Sequence, residues 1–296
     1  MTQFQSAAGT HRSRLFAVFG ITMAILATEV VGGILSGSLA LLADAGHMLT
    51  DVSGIGLSLL AVWFATRPAT PRRSFGYYRL EMLAVAANAV LLLGVSGLIL
   101  FESVRRLFHP AQVGAGLMLV FAVVALAGNG ASLWLLRRGQ AESLNVRGAF
   151  LEVLSDLLAA LAVLIAAGVI ALTGFRAADT VASGLIALAI LPRTWKLLRD
   201  AVDVLLEAAP RGVDLEEVRR HIVEMPGVAD VHDLHAWTIT SGINVVSAHV
   251  VCDGTADAPT VLDRLCDCLS GDFDIEHSTF QLETGDRRRI EETAHP

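Results

Sequence analysis

The stretch GAFLEVLSDLLAALAVLIAAGV, residues 148–169, is almost entirely apolar and yet carries two acids. A helix crosses the hydrocarbon core of a bilayer when about 20 consecutive residues are mostly apolar. Glu152 and Asp156 lie inside this run, four residues apart. An ionised carboxylate is costly among hydrocarbon chains, so intramembrane acids are candidates for a functional site. The stretch predicts a transmembrane helix that carries a polar site.

Five more apolar runs of similar length lie before and after this one. The chain of 296 residues is 54% hydrophobic and 17% charged, with a mean hydropathy of +0.59, whereas soluble domains average about 25% charged residues. These values predict a membrane protein with six transmembrane helices, over residues 15–35, 39–64, 80–101, 113–136, 148–172 and 180–198. The last run contains Pro192, which makes its far end the hardest to place.

The composition changes after the sixth run, where Asp, Glu and His become frequent. Helical patterns over 214–225 and 258–269 alternate with strand patterns over 228–239, 243–252 and 275–283. The order α-β-β-α-β predicts a small α+β domain with two helices on one face of a sheet. We therefore divide the chain into an N-terminal segment 1–14, a transmembrane domain 15–206, a tail domain 207–284 and a polar tail 285–296.

Basic residues flank alternate connections between the apolar runs, and such an excess marks the cytoplasmic side. The basic-rich positions precede the first run, follow the second and fourth, and lie at and just beyond the end of the sixth, at Arg12, Arg14, Arg67, Arg72, Arg73, Arg79, Arg137, Arg138, Arg147, Arg193, Lys196 and Arg199. The opposite loops hold only Arg105, Arg106 and Arg176. Both termini are predicted to lie in the cytoplasm, with the chain in the cell (plasma or inner) membrane.

Charge and cysteine content exclude some classes of protein. The formal net charge is −7, and no basic patch with interleaved aromatic residues occurs, which argues against nucleic acid as a partner. Cys252, Cys266 and Cys268 are too few for a disulfide framework and fit a reducing compartment.

A second pair of polar residues occurs in the run LADAGHMLTDVSG, where His47 and Asp51 are four residues apart. Side chains at this spacing lie on one face of a helix, as Glu152 and Asp156 also do. Two such pairs on facing helices can bind a divalent cation, whose charge offsets that of the carboxylates. A lone intramembrane histidine or aspartate more often bonds a neighbouring helix, but two ligand pairs favour a metal or ion site at His47, Asp51, Glu152 and Asp156.

The tail has its own set of ligand-type side chains, at His232, His235, His249, His277 and Glu283, with Asp233 and Gln281 nearby. Alternate residues of a strand face opposite sides. His277, Gln281 and Glu283 therefore share a face, whereas His232 and His235 share one only if a bulge lies between them. Histidines on the surface of a sheet are common without a metal, so a tail metal site competes with an ordinary surface.

Six motifs together resemble the cation diffusion facilitator family, in particular its zinc/cobalt/cadmium exporter branch. They are LADAGHMLTD, SFGYYRLE, LNVRGAFLEVLSD, VHDLHAWTITSG, SAHVV and HSTFQLE, and they occur in the order that the family has. The resemblance extends from about residue 14 to residue 284.

The resemblance implies a homodimer of six-span protomers with a cytoplasmic, metallochaperone-like domain for metal binding and dimerisation. It implies exchange of a divalent transition metal, Zn²⁺ first, for protons, with no organic cofactor. The transport ligands would be His47, Asp51, Glu152 and Asp156. Tail metal, Zn²⁺ again, would bind at His232, His249, Gln281 and Glu283, with His277 as a further candidate. Arg79 and Glu207 would form a charged hinge between the membrane and tail domains.

Two features depart from the usual family pattern. Zinc members usually have histidine at the position of Glu152, so the set here is one imidazole and three carboxylates. Carboxylates favour harder ions, which adds Cd²⁺, Co²⁺, Mn²⁺ and Fe²⁺ as possible substrates. The loop TRPATPRRSFGYY also has no histidine, so the additional loop metal site of some relatives is not expected.

Three other functions compete with transport of metal. A membrane-embedded metalloenzyme would need an open coordination position, and the chain has no HExxH pair. A membrane-anchored metal sensor would need the tail ligands but not the membrane pairs. A proton-coupled exporter of organic cations would not explain His47 or the tail histidines.

Overall fold

The computed structural model describes residues 12–65, 67–137, 144–240, 242–275 and 277–288. Most of the predicted N-terminal segment and most of the polar tail lie outside these residues, as does Arg138. By its Cα positions the chain forms two compact units. Unit 1 comprises residues Met1–Gly56 and Ala87–Leu197, and unit 2 comprises Leu57–Ala86 and Leu198–Pro296.

Six long helices correspond to the six predicted spans. They are α1 (Arg12–Ser36), α2 (Leu39–Ala65), α3 (Leu80–Phe108), α4 (Ala115–Leu136), α5 (Leu144–Thr173) and α6 (Ala177–Leu205). Helix α6 continues through Pro192 and ends seven residues beyond the predicted Leu198. Among the described residues, α1, α3, α4, α5 and α6 are long and apolar enough to cross a membrane.

Small residues let the helices of unit 1 approach closely. A Cβ added at Gly33 of α1 would lie 2.7 Å from the side chain of Leu42 and 3.2 Å from the backbone nitrogen of the same residue. A Cβ added at Gly32 would lie 2.4 Å from the Phe121 ring of α4. The buried core of this unit contains Leu41, Met118 and Val163 together with several alanines. Close backbone approach is the usual packing mode between helices in membranes.

Unit 2 contains the tail domain. Helix α7 (Leu215–Val223) is followed by β1 (Val228–Thr240), β2 (Ile243–Cys252), α8 (Ala258–Phe273), β3 (His277–Glu283) and the short α9 (Gly285–Arg288). The sheet order is β1-β2-β3, with β1 antiparallel and β3 parallel to β2. The predicted α-β-β-α-β order is confirmed.

Both longer helices of the tail begin at an acidic cap. The side chain of Asp214 accepts a hydrogen bond from the backbone N–H of Glu216, and that of Asp257 accepts one from Thr260. Each cap satisfies an N–H group that has no partner inside the helix. Val218, Ile222, Leu265 and Leu269 then lie against one face of the sheet. The opposite face of the sheet carries the histidines.

Candidate metal sites

His47 and Asp51 lie one turn apart on α2 in unit 1, as their spacing predicts. The distance between His47 Nε2 and Asp51 Oδ2 is 3.5 Å. The ring of His47 is largely buried, with 11% of its side-chain surface exposed. The imidazole and the carboxylate therefore point to the same place.

Helix α5 brings its two acids to the same place. His47 Nε2 lies 3.8 Å from Glu152 Oε1. Single ligand atoms of His47, Asp51 and Asp156 all lie within 4.8 Å of one another, a spacing that one metal ion can bridge. Asp156 is buried, with 4% of its surface exposed. Glu152 lies beside this group of three without belonging to it.

Glu152 instead forms an ion pair with Arg193 of α6. Arg193 Nη2 donates to Glu152 Oε2 at 2.7 Å, and Arg193 Nη1 donates to Glu152 Oε1 at 3.2 Å. In the sequence, Arg193 indicates only which side of the membrane the sixth run ends on. The missed signal is its position directly after Pro192, well inside a helix that continues for twelve more residues.

A cavity of about 450 Å³ opens beside these residues. Its polar lining includes His47, Asp51, Asn88, Ser155 and Arg193, and the rest is mostly alanine, leucine and isoleucine. His47 and Asp51 of the candidate site therefore face an open cavity.

Two further buried acids occupy α1 and α2. Glu29 and Asp44 are both fully buried and interact with each other through their carboxyl groups. This contact lies between α1 and α2. Asn88 likewise donates from Nδ2 to the backbone oxygen of Thr50 at 3.0 Å and joins α3 to α2.

A second group of ligand-type side chains lies in the tail domain. Ligand atoms of His232, His249 and Glu283 all lie within 4.8 Å of one another. His232 Nε2 is 3.3 Å from Glu283 Oε2, and His249 Nδ1 is 3.1 Å from Glu283 Oε1. Strand pairing explains the meeting, since β2 is central and His249 is directly opposite both His232 and Gln281.

A β-bulge lies between His232 and His235. His232 pairs with His249 and His235 pairs with Ser247, so three steps along β1 match two along β2. Asp233, within the bulge, has a φ of 49°. The bulge puts both histidines on the same face, as strand alternation requires if they are to share a site. His235, His249 and Gln281 line a shallow cavity there.

Gln281 and His277 differ in their distance from this group. Gln281 Nε2 donates to Glu283 Oε1 at 2.5 Å. His277 pairs with Val245, four positions along the ladder from the His249–Gln281 pair, so β3 holds it away from the group. Burial favours the neutral form of Glu283, but hydrogen bonds from Gln281 and His232 and the nearby His249 outweigh it and lower the pKa of this carboxyl group.

Arg79 and Glu207 meet within unit 2. Arg79 Nη2 donates to Glu207 Oε1 at 2.6 Å. Glu207 adopts a left-handed backbone conformation with φ 60° two residues after α6 ends. The pair assigned by resemblance is thus formed, and its role as a hinge stays a prediction.

Long apolar helices, an α+β tail and ligand-type side chains inside the helices define a multi-pass membrane protein of the metal-handling class. Family models agree along almost the whole chain. Residues 15–206 match the cation efflux transmembrane domain, and residues 210–285 match the cytoplasmic domain of cation efflux proteins. The chain belongs to the cation efflux family, the cation diffusion facilitators, and its C-terminal domain is cytoplasmic.

Characterised relatives resemble the chain over nearly its full length. The metal cation efflux system protein CzcD of Cupriavidus metallidurans is 45% identical over 97% of this chain and 91% of that protein. The zinc transporter ZitB of Escherichia coli is 44% identical over 91% of this chain and 87% of that protein. A cadmium, cobalt and zinc/H⁺-K⁺ antiporter of Bacillus velezensis is 35% identical over 94% of this chain and 90% of that protein.

Proposed function

We propose that this protein exports divalent transition-metal ions from the cytoplasm in exchange for protons. Zn²⁺ is the first candidate substrate, and Cd²⁺, Co²⁺, Mn²⁺ and Fe²⁺ are further candidates. The observation that carries this proposal is the approach of His47, Asp51 and Asp156 to within 4.8 Å of one another on two membrane helices. The names of the relatives support the same activity.

The ligand chemistry suits a transition metal that must be both bound and released. One imidazole nitrogen and carboxylate oxygens are common ligands of Zn²⁺. In our proposal His47, Asp51 and Asp156 bind the ion first, and Glu152 completes four-coordinate binding. The cavity that His47, Asp51 and Asn88 line supplies the path by which the ion arrives.

Exchange for protons follows from the charge of the site. Without metal, the carboxylates of Asp51, Glu152 and Asp156 repel one another, and proton uptake relieves that repulsion. An arriving cation displaces the protons, because metal ligands bind in their deprotonated form. Alternating access of the site to the two sides of the membrane would then couple metal efflux to proton entry.

The tail domain would bind metal and join two protomers. His232, His249 and Glu283 offer three ligand atoms, and Gln281 lies next to them. We propose Zn²⁺ as the tail ligand at this group, without His277, and a homodimer with both termini in the cytoplasm of the cell. The division at 1–14, 15–206, 207–284 and 285–296 and the hinge role of Arg79 and Glu207 belong to the same proposal.

Flux into proteoliposomes with an imposed pH gradient tests the proposal. Zn²⁺, Cd²⁺, Co²⁺ and Mn²⁺ would be offered to the wild type, to Asp51→Asn and to the matched control Asp203→Asn. Asp203 is an acid of α6 that lies outside the ligand group. We expect metal flux with opposite proton flux in the wild type and the control, and neither in Asp51→Asn. Tail binding of zinc without any flux would favour a metal sensor instead.

A further inference from the structure

The ion pair between Arg193 and Glu152 puts a fixed positive charge beside the proposed transport ligands. Two nitrogens of the guanidinium donate to the two oxygens of one carboxylate, at 2.7 and 3.2 Å. This fork geometry fits a planar carboxylate better than any contact that lysine could make. Arginine and glutamate thus form a specific pair and not a loose charge contact.

Glu152 lies beside the other ligand-type residues without belonging to their group. His47, Asp51 and Asp156 bring single atoms to within 4.8 Å of one another, and Glu152 is outside that group. The Oε1 atom of Glu152 is nevertheless only 3.8 Å from His47 Nε2. A small movement away from Arg193 would therefore bring Glu152 into the coordination shell of a bound ion.

The charges favour such an exchange of partners. Asp51, Glu152 and Asp156 carry a formal charge of −3 when ionised, and Arg193 reduces it to −2, the charge that a divalent ion neutralises. Arg193 thereby offsets the additional negative charge that Glu152 brings where zinc relatives usually have a neutral imidazole. Because 67% of the Arg193 side-chain surface is exposed, the guanidinium can leave the pair without repacking a core.

We propose that Arg193 determines the metal affinity of the transport site by holding Glu152 away from the metal until the ion is bound. Arg193 is a positioning residue, and Glu152 is the exchangeable fourth ligand. This inference rests on the proposed function. Binding of the ion requires Glu152 to leave Arg193, and the return of Glu152 to Arg193 assists release. Affinity is thus kept low enough for the ion to be delivered on the other side.

The experiment measures KM and maximal rate of zinc flux in proteoliposomes. Arg193→Gln frees Glu152 for the ion, so KM should fall by about threefold to tenfold, and the maximal rate should fall because release is slower. Arg193→Lys keeps the positive charge but cannot donate to both carboxylate oxygens. Its KM and maximal rate should lie between those of the wild type and Arg193→Gln. The matched control Arg199→Gln removes a basic charge from the same helix, where the contact to Asp203 is 4.0 Å long, and should behave as wild type.

A double-mutant comparison separates a direct partner from a distant charge. In the Glu152→Gln background Arg193 has no carboxylate to hold, so Arg193→Gln should change zinc affinity by less than about twofold. For variants that do not transport, zinc affinity is measured by competition with a fluorescent chelator. Subtracting the zinc bound by Asp51→Asn leaves the zinc bound at the transport site. If Arg193→Gln does not fold, Arg193→Lys can be compared in the wild-type and Glu152→Gln backgrounds instead.

Two results would overturn the inference. One is an unchanged or higher KM in Arg193→Gln. The other is an equal change in zinc affinity when Arg193→Gln is made in the wild type and in Glu152→Gln. If the wild type bound no more zinc than Asp51→Asn does, the proposed function itself would be refuted.

Discussion

The carboxylate of Asp179, at the start of α6, accepts a hydrogen bond of 2.8 Å from the backbone N–H of Leu39, the first residue of α2. The N–H of Ala40 and the hydroxyl of Ser38 donate to the same carboxylate at 3.2 and 2.5 Å. Asp179 is fully buried, and Arg106 of α3 lies 3.9 Å away. The N-terminus of one helix is therefore capped by a residue 140 positions later in the chain.

Removing this cap should destabilise the membrane domain. Asp179→Ala leaves two backbone N–H groups and a hydroxyl without their acceptor, which should cost about 2–4 kcal/mol. Asp179→Asn keeps one oxygen acceptor and should cost less. Thermal unfolding in detergent, followed by tryptophan fluorescence, measures both. Equal transition temperatures for wild type and Asp179→Ala would show that the cap does not stabilise the fold.

The close contact of α1 with α2 should be sensitive to one methyl group. Gly33→Ala puts a Cβ 2.7 Å from Leu42, and overpacking of this kind costs about 1–3 kcal/mol. Gly20→Ala is the matched control, because no atom of the described residues lies within 4 Å of its added Cβ. We expect a lower unfolding temperature for Gly33→Ala only. A loss of the same size in Gly20→Ala would mean that helix packing is not the cause.

Substitution of Glu152 by histidine should change the metal preference and remove the dependence on Arg193. Glu152→His replaces a hard carboxylate by an imidazole, which suits zinc, so the ratio of zinc to manganese flux should rise above that of the wild type. Because Arg193 then has no carboxylate to hold, adding Arg193→Gln should change zinc flux by less than about twofold. Flux of both metals in proteoliposomes gives the ratio and the comparison. An effect of Arg193→Gln as large in Glu152→His as in the wild-type background would contradict the pairing.

The tail site should need His249 but not His277. His249→Ala removes one of the three converging ligands and should lower the number of zinc ions bound per full-length chain, whereas His277→Ala should leave it unchanged. Equilibrium dialysis followed by elemental analysis counts the ions. Equal losses in both variants would place His277 among the ligands.

The same site should lose zinc in acid. Imidazole binds a metal only when it is deprotonated, so the tail affinity should fall as pH decreases and protons compete with zinc. Titration of the Asp51→Asn protein isolates the tail contribution. Unchanged affinity down to about pH 5 would exclude histidine ligands.

The pair of Arg79 and Glu207 should tolerate exchange of its charges. Arg79→Glu and Glu207→Arg each put two like charges at a contact of 2.6 Å and should reduce zinc flux. The double variant restores opposite charges and should recover most of the flux. A double variant as inactive as the single ones would show that the pair does not act through charge.

Sequence patterns alone predict the six long helices, the α-β-β-α-β tail and the pairs His47–Asp51 and Glu152–Asp156. Each of these depends on spacing along one chain segment: apolar length for a span, period two for a strand, and four residues for one helix face. These patterns lie within one chain segment, so they can be recognised without knowing which other segments pack against it. The family resemblance added the Arg79–Glu207 pair, which the structure shows in contact.

Residues that are distant in the sequence become partners only through tertiary packing. The Arg193–Glu152 pair depends on α5 and α6 being neighbours, and the Asp179 cap on where α6 begins relative to α2. The bulge at Asp233 decided the face of His235, and strand register separated His277 from the histidine group. The period of a helix or strand determines which face a side chain lies on. Helix packing and strand register determine which residues of other elements that face contacts.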